Sequence, residues 1–153
     1  MMKEFIYTAF IQFFFASFES GFRIFLRELD SSYHENFNSV RERLIKELCL
    51  NSGISSIELF QKIRNTIHNN GVFYHKNKTC NVTYKKKTYI LEEGKPLGFL
   101  SFNLIVELIE DTLVVVDEIT NHKKIMLIKE IKDPSVKLFA INEQCNIMKE
   151  DVL

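Results

Sequence analysis

Residues 55 to 71 read SSIELFQKIRNTIHNNG and carry the clearest structural pattern in the chain. Its apolar residues Phe60, Ile63 and Ile67 recur at helical spacing and define a stripe that faces the core. A serine at position 55 or 56 can cap the start of a helix. The run Asn69-Asn70-Gly71 favours a left-handed stop at its end. The stretch therefore predicts one amphipathic helix.

A second, polar stripe lies beside the apolar one and consists of Gln61, Arg64 and His68. Arg64 and His68 are four residues apart, which makes them neighbours on the helix surface. A guanidinium is always charged and binds phosphate well, and histidine exchanges protons near neutral pH. Three asparagines add amides that can orient the histidine or bind a phosphate or a base edge, namely Asn65, Asn69 and Asn70.

These residue types suit phosphodiester chemistry, but an ordinary structural role explains them as well. A histidine in the last turn of a helix interacts favourably with the negative end of the helix. Asparagine and glycine are common residues at helix ends. The residues alone therefore leave both interpretations open.

Three further helices surround this one in the sequence. The first is expected from about Lys3 to Leu29, the second from about Glu35 to Leu50, and the last from about Phe99 to Thr120. Each has apolar residues at helical spacing. We find no internal repeat. The four helices predict an all-α fold, an up-and-down four-helix bundle.

A basic insertion separates the third and fourth helices, at about residues 72 to 95. Strand-forming residues replace the helical pattern there, so we expect a β-hairpin or an extended segment. The insertion carries five lysines and no acidic residue between His75 and Leu91: Lys76, Lys78, Lys85, Lys86 and Lys87. They can bind RNA phosphates, with Tyr74, Tyr84 and Tyr89 stacking on bases. The alternative is a solvated hairpin whose lysines protect a strand edge.

The composition bounds the function classes. The 153 residues fit a single domain, 1–153, in which about 123–153 forms a C-terminal extension. A formal net charge of zero excludes attraction of the whole molecule to nucleic acid or membrane, so any such affinity is local. No histidine or cysteine has partners at metal-ligand spacing, and no glycine loop for phosphate binding is found. We expect neither a metal site nor a cofactor.

Cellular location follows from the cysteines and from the first helix. The three cysteines, Cys49, Cys80 and Cys145, are widely spaced and form no disulfide framework. Reduced thiols indicate a cytoplasmic protein. The apolar run from Phe5 to Phe18 is too short to span a bilayer, and the favoured interpretation is a buried core helix. We expect no membrane association.

The stretch around Arg64 resembles the signature of the HEPN superfamily, all-helical domains with an arginine, a polar residue that is usually Asn, a short spacer and a histidine. The matching residues are Arg64, Asn65 and His68, and the ending His68-Asn69-Asn70-Gly71 is similar to that of many bacterial members. Two helices before the motif and a long helix after it agree with the family order. The spacer differs, since the family usually has four to six residues where this chain has three.

The resemblance implies a metal-independent endoribonuclease, with Arg64 and His68 in a composite site at a homodimer interface. His68 would act as general acid or base in the attack of the ribose 2′-hydroxyl, and Arg64 would stabilise charge on the phosphate. The resemblance also implies a role in defence or in a toxin–antitoxin system, with an antitoxin or regulatory protein as partner. The alternative is a non-catalytic dimeric helical module that binds RNA, a nucleotide or a protein.

Overall fold

The computed structural model describes residues 2–30, 36–50, 53–76 and 78–129. The predicted C-terminal extension beyond residue 129, including Cys145, lies outside the described residues, and so does His34. Within the described ranges the chain forms five helices and two strands: α1 (Met2–Leu29), α2 (Phe37–Leu48), α3 (Ile54–His68), β1 (Thr79–Tyr84), β2 (Lys87–Glu92), α4 (Phe102–Thr120) and α5 (Lys123–Met126).

Aromatic rings join the first three helices. Phe60 of α3 is fully buried, and its ring centroid lies 5.4 Å from that of Phe15 and 6.4 Å from that of Phe18, both on α1. Phe37, the first residue of α2, packs on the other side of Phe15 with centroids 5.1 Å apart. Edge-to-face pairs of this kind stabilise a core beyond the area that they bury. The relative positions of α1, α2 and α3 follow from these contacts.

The expected all-α fold class is wrong, because β1 and β2 pair into an antiparallel sheet. The hairpin lies between α3 and α4, where an insertion was expected. It is part of the core, since one face of it, formed by Val82, Tyr84, Tyr89 and Leu91, is buried. Alternating side chains point to opposite faces of a strand, and this half of the hairpin packs inward. The four-helix bundle is not confirmed.

The start of helix α3 differs from the prediction, whereas its end agrees with the prediction. Its start, expected to be capped by a serine, is instead Gly53 in a left-handed conformation with φ of 66° and no side-chain cap. The Ser56 hydroxyl donates back to the Gly53 carbonyl at 2.7 Å. A Cβ on Gly53 would overlap Cγ2 of Val115 on α4. The predicted left-handed stop is confirmed, with φ of 58° at Asn70 and 80° at Gly71.

Helix α1 is longer than the apolar run from Phe5 to Phe18, which was predicted to be too short to span a bilayer. Tyr7–Leu29 spans 23 residues, and by length and composition it could cross a membrane. Core helices of soluble proteins and signal sequences have the same properties. The prediction that the apolar part of this helix is too short to span a bilayer is therefore wrong. The properties of α1 do not determine where the protein is located.

Changing Lys86 to glycine is expected to stabilise the protein. Lys85 and Lys86 form the two-residue turn between the strands, with φ of 46° and 65°. Such a turn favours Asn-Gly, because side chains other than Asn and Asp are strained at positive φ. We expect Lys86→Gly to raise the free energy of unfolding by about 0.5–1 kcal/mol. Denaturant unfolding measures this, with Lys87→Gly, within β2, as the control that should lower it.

Alkaline pH is expected to destabilise the protein through Tyr84. Burial and a hydrogen bond to Asp111 raise the pKa of Tyr84 to about 12, whereas an unfolded tyrosine has a pKa of about 10. The folded chain therefore holds the phenol proton more tightly, and this stabilisation is complete below pH ~10 and lost as the pH approaches 12. The pKa of Lys85 is raised as well, by its contacts with Tyr84 and Asp111, which act in the same direction.

Unfolding measured against pH checks this. The wild type should lose stability between pH ~10 and ~12, and Tyr84→Phe should lose less of it over the same range. Tyr89→Phe, on the neighbouring strand, is the control. A Tyr84→Phe profile as steep as that of the wild type would contradict the assignment.

Candidate functional site

A polar pocket of about 410 Å³ lies where α1, α2 and α3 meet. Its wall contains two arginines and one glutamate, with amide side chains around them and two phenylalanine rings at the base. The lining residues are Phe15, Glu19, Arg23, Asn36, Phe37, Asn38, Gln61, Arg64 and Asn65. With two positive charges and one negative charge, the wall carries a net charge of +1. An anionic group of small size suits such a wall.

Arg64 is the residue whose surroundings stand out. Its guanidinium carbon lies 5.5 Å from the centroid of the Phe15 ring, within the range of a cation–π contact. Its Nη1 donates to Asn65 Oδ1 at 3.1 Å. Its Nε is buried and has no hydrogen-bond partner among the described residues. A buried donor without a partner costs about 1–3 kcal/mol, and Nε of Arg41, outside the pocket, is buried without a hydrogen-bond partner among the described residues as well.

Arg23 and Glu19 form the opposite wall, on α1. Arg23 Nη2 donates to Glu19 Oε1 at 2.6 Å, an ion pair at i,i+4 spacing. The pair lines the same pocket as Arg64. Gln61 closes the wall on α3, where its Oε1 accepts from Arg41 Nη1 of α2 at 3.1 Å. This hydrogen bond connects α2 to α3, whereas the Arg23–Glu19 pair lies within α1.

The polar stripe on α3 is graded from buried to exposed, as a border position predicts. Gln61 is buried, Arg64 is half-buried and His68 is exposed. His68 lies one turn beyond Arg64 and is not among the residues that line the pocket. Within the described part of the chain it has no hydrogen-bond or ion-pair partner that would fix its ring. The structure thus places His68 next to the pocket rather than in it.

The three asparagines of the motif divide in the same way. Asn65 lines the pocket and accepts a hydrogen bond from Arg64, so it orients the arginine rather than the histidine. Asn69 and Asn70 form the helix end, where the Asn69 amide donates to the Asn65 carbonyl at 3.0 Å. Both are exposed. Their structural role at the helix end is evident, and a role toward a ligand stays a prediction.

The lysines predicted to bind RNA lie on a different part of the molecule. None of the pocket-lining residues belongs to the hairpin, which packs on α3 and α4. Lys85 Nζ lies 3.2 Å from Asp111 Oδ2 and 3.8 Å from Glu107 Oε2, so α4 neutralises part of its charge. The remaining four, Lys76, Lys78, Lys86 and Lys87, are exposed. Lys87 also stands over the Tyr89 ring at 5.0 Å.

The expectation that three tyrosines stack on bases is wrong for two of them. Tyr84 and Tyr89 are 2% and 8% exposed, because they point to the buried face of the hairpin. Tyr84 donates its hydroxyl proton to Asp111 Oδ2 at 2.7 Å, which fixes the hairpin to α4. Tyr74 precedes β1 and is 61% exposed, so it has a face available for stacking.

Other reactive side chains are dispersed. Cys49 and Cys80 are both free thiols. Among the described residues, no three His, Cys, Asp or Glu side chains are grouped as metal ligands would be. His122 caps α5 by accepting from the amide of Lys124 at 3.2 Å. The stacked contact between the rings of His75 and Phe73, with centroids 5.9 Å apart, gives His75 a packing role.

Comparison of the chain with protein-family models, with characterised proteins and with solved structures found no match. The resemblance to the HEPN superfamily therefore stays a prediction. The evidence on function comes from the polar pocket that contains Arg64.

Part of the pocket was not predicted from the sequence, namely Phe15, Asn36, Phe37 and Asn38. Asn36 gave one local signal, because it caps α2 by accepting from the amide of Ser39 at 2.9 Å. The position of Phe15 beneath Arg64 depends on how α1 packs on α3, which no local pattern specifies. The i,i+4 spacing of Phe15 and Glu19 places them on one flank of α1, but it does not indicate that α3 packs against this flank.

Removing the negative charge of the pocket is expected to strengthen anion binding. Glu19→Gln removes the one negative charge in the lining of the pocket and raises the net charge of the wall by one. We expect a labelled 2′-O-methyl RNA oligonucleotide, which cannot be cleaved through its 2′-oxygen, to bind about threefold to tenfold more tightly. Fluorescence anisotropy at low salt measures this. Glu110→Gln, on α4 and outside the pocket, changes the net charge equally and should have a smaller effect; equal effects would contradict binding at the pocket.

Proposed function

We propose that this chain is an endoribonuclease that binds a phosphate of RNA at the Arg64 pocket and uses His68 to transfer a proton. The observation that carries the proposal is the guanidinium of Arg64, half-buried over Phe15 with an unsatisfied Nε. Arginine forms strong charge-assisted hydrogen bonds with phosphate. A ligand phosphate in the pocket would supply the charge that this donor group lacks in the protein.

The reaction follows from the two side chains. The ribose 2′-oxygen attacks the adjacent phosphorus, a bond from 2′-oxygen to phosphorus forms, and the bond from phosphorus to the 5′-oxygen breaks. His68 performs one of the two proton transfers, either accepting the 2′-hydroxyl proton or supplying the proton that the 5′-oxygen takes up, and solvent water performs the other. Arg64 stabilises the negative charge that develops on the phosphate oxygens. The products are a 2′,3′-cyclic phosphate and a 5′-hydroxyl, and DNA, which has no 2′-hydroxyl, is not cleaved.

A second candidate function is binding of RNA or a nucleotide without cleavage. The exposed position of His68, with no orienting partner in the described part of the chain, favours it. General acid–base catalysis needs a proton-transfer group within hydrogen-bond reach of the reacting oxygen. In this alternative Arg64 and Arg23 bind the anion, and His68 contributes only to the helix end.

The proposal includes a cytoplasmic location, where Cys49 and Cys80 would stay reduced. RNA is the proposed partner, with Tyr74 and the exposed lysines as further contacts beyond the pocket. A site shared between two copies, an antitoxin or regulatory protein, and a place in a defence system stay predictions of the resemblance.

The test is incubation of the purified protein in EDTA with labelled single-stranded and structured RNAs. We expect cleavage to cyclic-phosphate ends by the wild type and a loss of about 10²–10⁴-fold for His68→Ala. Arg64→Lys keeps the charge but loses the forked geometry, and it should also be impaired. His122→Asn is the matched histidine control, since asparagine preserves the cap of α5; its activity should equal that of the wild type.

Each outcome decides between the two candidates. Activity that survives His68→Ala in a correctly folded variant would overturn the catalytic role of His68. Binding of the 2′-O-methyl oligonucleotide that depends on Arg64, without cleavage of any RNA, would support the binding function instead. Binding that is unaffected by Arg64→Ala would overturn both. Circular dichroism confirms that each variant is folded.

A further inference from the structure

An apolar groove runs between α1 and α4 and is independent of the Arg64 pocket. One part of it, of about 210 Å³, is lined by Phe14, Ser17, Phe18, Gly21, Phe22, Phe25, Leu113 and Val116. The adjoining part, of about 470 Å³, is lined by Tyr7, Phe10, Phe102, Val106, Ile109 and Glu110. Glu110 is the one charged residue in these two linings. The groove thus has apolar walls along most of α1.

Large apolar side chains on both helices are exposed along this groove and beside it. Phe13 is 75% exposed and Phe10 is 46% exposed on α1. On α4, Leu113 is 50% exposed and Val114 is 59% exposed. Tyr7 and Phe102 are also exposed, and their rings contact one another at the end of the groove with centroids 5.2 Å apart. Monomeric soluble proteins rarely leave so many contiguous large apolar side chains in water.

The charge distribution limits what can cover this surface. Residues 7 to 18 of α1 contain no charged side chain. On α4, the acidic residues Glu110 and Asp117 lie along the rim, and the helix contains no lysine or arginine. A strongly basic or acidic partner would leave its own charges desolvated against α1 without a counter-charge. An uncharged apolar surface is the fitting partner.

We propose that this face binds the same face of a second copy of the chain, which forms a twofold symmetric dimer. Aromatic side chains bury about 150–250 Å² each. Four exposed rings, those of Tyr7, Phe10, Phe13 and Phe102, together with Leu113 therefore offer roughly 500 Å². Phe14, Phe25, Val106, Ile109 and Val116 are partly exposed and bring the face near the ~800 Å² per partner of a standard interface. Protruding side chains such as Phe13 of each copy would occupy the groove of the other.

This dimer has a consequence for the Arg64 pocket. At about 100° per residue, Phe10 and Glu19 lie on opposite sides of α1. The groove and the pocket therefore occupy different flanks of the same helix, with the core between them. Pairing through the groove leaves both pockets open on the outer sides of the dimer, so that each would act within its own protomer. The proposed association does not depend on the proposed function.

The test is the oligomeric state of the full-length protein by sedimentation over a range of concentrations. We expect a dimer for the wild type. The double variant Phe13→Glu/Leu113→Glu should dissociate, with a dissociation constant raised by more than about thirtyfold. Ile90→Glu is the matched control, because Ile90 is a 55% exposed apolar residue on β2, away from the groove; it should remain dimeric.

A milder variant distinguishes loss of association from loss of folding. Phe13→Ser removes apolar surface without placing a charge on α1, and it should weaken the dimer while circular dichroism and thermal unfolding stay close to the wild type. A wild type that is monomeric at all concentrations overturns the proposal, including the case in which residues 130 to 153 of the same chain cover the groove. A dimer that persists in the double variant, or that dissociates on Arg64→Glu instead, also overturns it.

Discussion

The packing of Phe15 against Phe60 holds α1 and α3 together and thereby positions both the core and the pocket. Their rings meet nearly perpendicular, at 85°, and join α1 to α3 at the centre of the core. The same Phe15 ring supports the guanidinium of Arg64 and contacts Phe37 at the start of α2. One side chain therefore belongs both to the core and to the pocket. The position of the charged site is set by apolar packing rather than by polar contacts alone.

Helix α1 distributes its surface among three environments. Its central stripe, which includes Ile11, Phe15 and Phe22, is buried in the core. One flank presents Glu19 and Arg23 to the polar pocket, and the other presents apolar side chains to the groove beside α4. This explains why the sequence of α1 is so apolar although only five of its residues 7–29 are buried, namely Ile11, Phe15, Phe18, Phe22 and Leu26. A helix that only filled a core would not need the second apolar flank.

Much of the local structure could be predicted from the sequence, because it depends on neighbours in the chain. Helical spacing identified the core stripe of α3 and the border position of Arg64. The run Asn69-Asn70-Gly71 identified the end of α3. Predictions failed where the exposure of a residue depends on a segment that is distant in the sequence. Tyr84 and Tyr89 looked available for bases, yet the packing of the hairpin on α3 and α4 buries them.

The pocket itself shows the same division. Arg64 and Asn65 were identified from their types and spacing, whereas Phe15, Phe37 and Asn38 join them only through the packing of three helices. His68 was predicted as part of the site and lies beside it, since residues four apart on a helix are neighbours without sharing every contact. The groove between α1 and α4 was not anticipated, because a buried apolar flank and an exposed one have the same composition.

Gly53 gives the chain a point of evolutionary constraint far from any reactive group. Because a Cβ there would overlap Val115, the first turn of α3 approaches α4 as closely as it does only with glycine at this position. Arg64 is carried by the same helix, so the packing that positions its guanidinium over Phe15 depends in part on a glycine that lines no part of the pocket.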